Sequence, residues 1–210
     1  MNKIYDNNMK FLPILKFIEK YKIYILIIAL IFVAFLAYFF TSKQIMMASN
    51  EKAASIYKNW STEIQKENSD QADFYFNDLV SNYKNTGYTQ IALLINGTFH
   101  ANENNFEKAL ENFEDLITIT NKRNGDKVLN KIARINSSRI YLSKNLHNKA
   151  LKKLDIYADT SDAYIHELIG DILVQKNDTE LAKKSYEKSL SLYSDEGSLS
   201  IVTIKLNNIN

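Results

Sequence analysis

The residues best suited by type to acid–base chemistry or metal ligation are His100, His147 and His166. A zinc-hydrolase helix sets two histidines four residues apart with a glutamate beside the first. His166-Glu167 opens such a run, but Gly170 stands where the second histidine is needed. The chain contains no cysteine, so a thiolate nucleophile, a disulfide framework and a thiolate metal site are all excluded. The phosphate-cradling patterns G-x-x-x-x-G-K and G-x-G-x-x-G are absent, as is the G-x-S-x-G nucleophile elbow. The sequence therefore predicts no catalytic residue, no cofactor and no metal, with the histidines serving packing or turns. Function has to come from binding.

The elements that would present a binding surface are helical. Only five glycines and one proline occur in 210 residues, which implies helices joined by short polar turns and an all-α fold. Four segments place a large residue four positions after an alanine: Ala72 and Phe76, Ala109 and Phe113, Ala150 and Leu154, Ala182 and Tyr186. The alanines lie 37, 41 and 32 residues apart, near the roughly 34-residue period of tetratricopeptide helix pairs. Twelve positions before each alanine stand Trp60, Gly97, Ser138 and Gly170. A small residue on the first helix of a pair facing a small residue on the second lets the backbones approach, and the large residue fills the space one turn on. Trp60 breaks the pattern and makes the first unit irregular. Polar turns fall at Glu103-Asn104-Asn105, Lys144-Asn145 and Lys176-Asn177-Asp178. Asn104 with Glu107, and Asn177 with Glu180, have the spacing of a helix cap and its answering carboxylate. The expectation is a tetratricopeptide-like (TPR-like) helical-hairpin solenoid of about four units, closed by a helix carrying Leu199, Val202, Leu206 and Ile209. In such stacks the first helices line a concave face, which would here present Leu94, Thr98, Ile135, Arg139, Glu167 and Asp171 to a helix or extended peptide.

Ahead of the repeats, residues 23–42 carry no charge, and 13 of them are Ile, Leu, Phe or Val. Twenty helical residues span roughly 30 Å, the thickness of a bilayer's hydrocarbon core. Membrane insertion of those 13 side chains gains roughly 4–8 kcal/mol. The run exceeds a signal peptide's apolar core and no small-residue cleavage site follows, so an uncleaved transmembrane helix is expected. Lys3, Lys10, Lys16, Lys20 and Lys22 precede it against Asp6 and Glu19, which holds the N-terminus in the cytoplasm. The expected division is a cytoplasmic or interfacial segment over 1–22, the span over 23–42, and a domain beyond the membrane over 43–210. A long helix should continue from the span through Lys43–Gln65. The apolar stretch Phe11–Ile18 should rest in the membrane interface.

Of 26 basic and 24 acidic side chains, 21 and 22 lie from Lys43 onward. A near-neutral body has no electrostatic footprint for nucleic acid. Within it, residues 122–153 hold ten basic residues against Asp126, whereas 103–115 hold five acids against Lys108. The two stretches should face one another or solvent as neighbouring units stack; a basic partner or lipid surface is the alternative.

The architecture resembles the bacterial inner-membrane family of ancillary Sec translocon subunits. The likeness is carried by Gly87-Tyr88-Thr89-Gln90-Ile91-Ala92-Leu93-Leu94, by Glu167-Leu168-Ile169-Gly170-Asp171-Ile172-Leu173 with Asn177-Asp178-Thr179 and Ala182, and by Ile204-Lys205-Leu206-Asn207-Asn208. It implies a single-pass protein of the inner membrane with a periplasmic TPR-like domain. The implied role is an accessory protein-binding factor whose partners are translocon subunits, periplasmic chaperones or exported chains. The alternative from the same architecture is a scaffold for another envelope complex, in cell division or outer-membrane assembly. Orientation is the first thing to test. A compartment-sensitive reporter fused after Asn210 should be active only outside the cytoplasm, and cytoplasmic activity would reverse the topology.

Overall fold

The computed structural model describes residues 5–122 and 125–209, with side chains from residue 14 onward. Lys3 and Arg123, and the side chains of Asp6, Lys10 and Phe11–Pro13, lie outside the described residues. Two compact units are distinguished, Met1–Lys52 and Ala53–Asn210. The described residues contain helices and no strand.

The first helix, α1 (Tyr5–Gln65), is 61 residues long. Among the described residues it is the one helix long and apolar enough to cross a membrane. Its apolar side chains from Ile23 to Phe40 are exposed within the protein, as surface that meets lipid must be. The helix runs on without a break to Gln65, as expected from the helical propensity of Lys43–Gln65.

From Ala53 onward the chain is a run of antiparallel helix pairs. The end of α1 packs with α2 (Ser69–Asn82), α3 (Gly87–Asn102) with α4 (Phe106–Thr120), α5 (Lys127–Ser143) with α6 (His147–Leu154), and α7 (Ala163–Gln175) with α8 (Thr179–Leu192). A 3-10 turn (Asp155–Tyr157) follows α6, and α9 (Glu196–Asn207) closes the stack against α8. Val202 of α9 is fully buried, and Leu199 and Leu206 are half-buried beside it. A terminal helix of this kind shields the apolar face that the last pair would otherwise expose.

All four pairs turn by the same device. Glu67, Asn104, Asn145 and Asn177 have φ of 58°, 57°, 57° and 63°, the left-handed conformation that ends a helix. The next N–H reaches back to a carbonyl in the last helical turn: Asn68 to Glu63 at 3.0 Å, Asn105 to His100 at 2.8 Å, Leu146 to Tyr141 at 2.8 Å and Asp178 to Leu173 at 2.9 Å. Asn104 and Asn177 are thus helix-ending residues, which corrects their reading as helix caps. Asn105 and Asp178 are the caps, accepting from the N–H of Lys108 at 3.4 Å and Leu181 at 3.3 Å. The physical reason is that asparagine tolerates positive φ, so in the last three turns an Asn closes one helix before the next residue opens another, a place that Glu67 takes in the first.

The alanine register holds in every pair. Ala72, Ala109, Ala150 and Ala182 are buried, the last three completely. Gly97 lies against Phe113 so closely that a β-carbon there would come within 2.7 Å of the ring. Gly170 lies under the Tyr186 ring in the same way and more tightly. In the third pair Ser138 takes the glycine's place and donates its buried hydroxyl to the Ala150 carbonyl at 3.0 Å. Trp60 instead meets Phe76, ring against ring at 6.1 Å, and is itself only 1% exposed. In the first pair ring therefore meets ring, where the second and fourth pairs seat a ring on a glycine.

Glycine substitutions test this register. Gly97→Ala should lose about 1–3 kcal/mol to overpacking against the Phe113 ring, partly offset by helix propensity. Gly87→Ala, where nothing lies within 4 Å of the added carbon, should leave the melting temperature unchanged or raise it. Equal shifts in thermal melts would mean that the packing register is wrong.

Candidate partner-binding surface

The residues expected on the concave face come from α3, α5 and α7. Leu94 and Ile135 are half-buried, packed respectively against the core around Phe113 and the core around Leu154. Each offers an apolar edge rather than a free side chain. Thr98 is exposed, with its hydroxyl turned back to the Leu94 carbonyl at 2.8 Å. Arg139 is exposed and takes no part in the ion pairs of the described residues. Of these four, Thr98 and Arg139 are thus exposed, whereas Leu94 and Ile135 are partly taken up by the core.

Glu167 and Asp171 are differently placed. Lys205 of α9 donates to both, at 2.6 Å and 2.8 Å. The Tyr193 hydroxyl donates to Glu167 and the Tyr186 hydroxyl to Asp171, each at 2.7 Å. Burial and then the bonded carboxylate push both tyrosine hydroxyls well above the usual phenol range. Burial works against the Lys205 charge, but the hydrogen bonds it donates to Asp171 and Glu167, with the charges of both carboxylates, outweigh it and raise its pKa. The two carboxylates therefore anchor the closing helix. The run Ile204–Asn208 carried part of the family likeness, yet nothing in it foretold this role for Lys205. Only a fold that returns α9 to α7 brings it within reach.

The oppositely charged stretches also meet. Lys144 pairs with Glu107 at 2.7 Å, and Lys153 with Glu114. Lys84 reaches Asp115 at 3.3 Å and Lys131 reaches Asp162 at 2.6 Å, so three lysines of the basic stretch, Lys131, Lys144 and Lys153, are answered by carboxylates outside it. Part of the remainder is Arg139.

The histidines do not converge. His100 is half-buried near the end of α3, and burial, followed by Lys108, lowers its pKa. His147 begins α6, and His166 is buried with Nε2 at 2.9 Å from the Thr160 carbonyl oxygen. Among the described residues no cluster of three His, Cys, Asp or Glu side chains could hold a metal ion.

Residues 16–210 match the family described as tetratricopeptide repeat-like domain. Two curated relatives carry the description ancillary SecYEG translocon subunit. The protein of Buchnera aphidicola subsp. Acyrthosiphon pisum (strain APS) is 31% identical over 107 residues, covering 50% of this chain and 53% of the relative. The protein of Aggregatibacter actinomycetemcomitans is 26% identical over 161 residues, 75% of each chain. The chain thus spans about half the length of the first relative and three quarters of the second.

Removing the Lys205 ammonium should expose what the closing helix contributes. Lys205→Ala leaves Glu167 and Asp171 facing one another without their shared donor and should cost about 1–3 kcal/mol. Because the Lys205, Tyr186 and Tyr193 pKa values are raised, their stabilisation is complete below about pH 10 and is lost as pH rises through the folded-state values. Thermal melts of the parent protein should fall on the alkaline side, and those of Lys205→Ala should fall less steeply. Identical alkaline slopes would remove Lys205 from this role.

Proposed function

Because the chain belongs to the tetratricopeptide repeat-like family, we propose that it is a membrane-anchored, protein-binding accessory factor of the Sec translocon. The observation that carries this reading is the likeness to two proteins described as ancillary SecYEG translocon subunits, in a chain that joins a membrane-spanning helix to a TPR-like stack. The span sits in the inner membrane with the N-terminus cytoplasmic and the helical stack periplasmic, an orientation supported by the lysines ahead of Ile23. The stack works by contact rather than by chemistry. Leu94, Thr98, Ile135 and Arg139 form the central partner surface, and Glu167 and Asp171 border it while they hold α9.

The proposed partners are translocon subunits, periplasmic chaperones and exported chains. A surface of apolar edges around one cation selects weakly, which suits transient contact with many sequences. The anchor compensates by concentrating the domain near the channel, so that weak individual contacts are still occupied.

A photo-crosslinker at Thr98 or Arg139, in the intact protein in its native membrane, tests the reading. It should capture exported chains, chaperones or translocon subunits. Replacing residues 23–42 with an unrelated span should reduce channel association while the domain keeps its melting temperature. Recovery of cell-division or outer-membrane assembly components alone would favour the scaffold alternative and overturn the translocon role.

A further inference from the structure

The first helix pair differs from the second and fourth in how its helices pack. Where the second and fourth pairs set glycine against an aromatic ring, Trp60 stands against Phe76. At the turn end of this pair a cavity of about 270 Å³ lies between the end of α1, the start of α2 and the second half of α3. Its apolar lining includes Trp60, Ile64, Ile95 and Phe99. The last three are 42%, 42% and 56% exposed, unusual exposure for large apolar side chains grouped around one hollow. A volume of this size takes one or two large side chains rather than a whole helix.

The rim is acidic. Glu67 and Asp73 line the cavity, and neither carboxylate joins an ion pair among the described residues. The nearby Lys66 is committed to Glu63 at 2.8 Å. Asp70 sits in the first turn of α2 and answers that helix's dipole, Asp73 acts on His100, which also lines the cavity, and Glu67 is left for an outside charge. Lys108 acts on His100 from α4 but does not line the cavity. Glu67 moreover holds the left-handed turn position filled by asparagine in the other three pairs. A carboxylate is therefore kept at the mouth where the other pairs have a neutral amide.

We infer that this cavity is a second partner site, which takes a protein segment presenting a large apolar side chain beside a lysine or arginine. The apolar side chain enters against Trp60, Ile95 and Phe99, and the neighbouring cation meets Glu67 and Asp73. None of Leu94, Thr98, Ile135 or Arg139 lines the cavity, so its occupancy stands or falls independently of the translocon role.

Trp60 is the chain's one tryptophan, and it forms part of the cavity wall, so its fluorescence reports occupancy directly. The intact protein in detergent would be titrated with short peptides carrying one bromophenylalanine between lysines, and with the same peptides carrying glutamates in place of lysines. The lysine peptide should quench Trp60 saturably, and the glutamate peptide should bind at least about tenfold more weakly. Added salt should weaken the lysine peptide, as expected for exposed charges. Phe99→Ala with Ile95→Ala should abolish the quenching, and Glu67→Lys with Asp73→Lys should weaken it about tenfold; these are surface changes, and unchanged thermal melts would show that the variants fold. Equal quenching by both peptides, quenching untouched by either double variant, or no quenching at all would overturn the inference. Quenching by brominated lipid instead of peptide would assign the cavity to an acyl chain, and a concentration-dependent emission shift without peptide would assign it to a second copy of the chain; either result would also overturn it.

Discussion

Small residues at the helix contacts, glycine beneath an aromatic ring and alanine fully buried, are the constraint on which the helical stack depends. At Gly97 and Gly170 no β-carbon fits beneath the Phe113 and Tyr186 rings, while Ala109 and Ala182 are completely buried on the opposing helices. Dispersion contacts fall off steeply with distance, so a gap of one ångström would forfeit much of this packing. Ser138 shows how a polar residue meets the same demand, because its hydroxyl is satisfied by the Ala150 carbonyl rather than left buried and unpaired. Trp60 departs from this pattern: its ring packs against the Phe76 ring, and it also lines the cavity at the end of the first pair.

The turns and the closing helix complete the frame. A left-handed residue followed by a backward N–H bond ends the first helix in each of the four pairs, so the chain reverses within a few residues and the second helix starts in register. At the far end, α9 supplies Val202 to the core and Lys205 to the carboxylates of α7. Apolar burial alone is not directional, whereas a lysine shared by two carboxylates, each bonded also to a tyrosine hydroxyl, defines where the helix sits.

This placement changes what the stack can offer a partner. Carboxylates that anchor α9 are not free to select a basic ligand, whereas Arg139 on α5 is exposed and joins no ion pair among the described residues. Glu67 and Asp73, beside the cavity of the first pair, join no ion pair among the described residues.

The helical class, the apolar span and the alanine register were legible in the sequence because each rests on local periodicity. A helix repeats its faces every three or four residues, and a 20-residue apolar run matches the hydrocarbon thickness wherever the rest of the chain goes. The resemblance carried by Gly87–Leu94 and Glu167–Leu173 likewise consists of packing residues spaced along single helices. The turn chemistry was legible only to within one residue, since two adjacent polar residues can each serve as helix end or helix cap until backbone φ distinguishes them. The fate of Glu167 and Asp171 depended on Lys205, more than 30 residues further on, and no local pattern links them. The same holds for the cavity: Trp60 could be read as a departure from the repeat, but its walls come from three helices. Spacing along the chain determines which face a residue occupies, whereas contacts between helices decide which of those residues remain free.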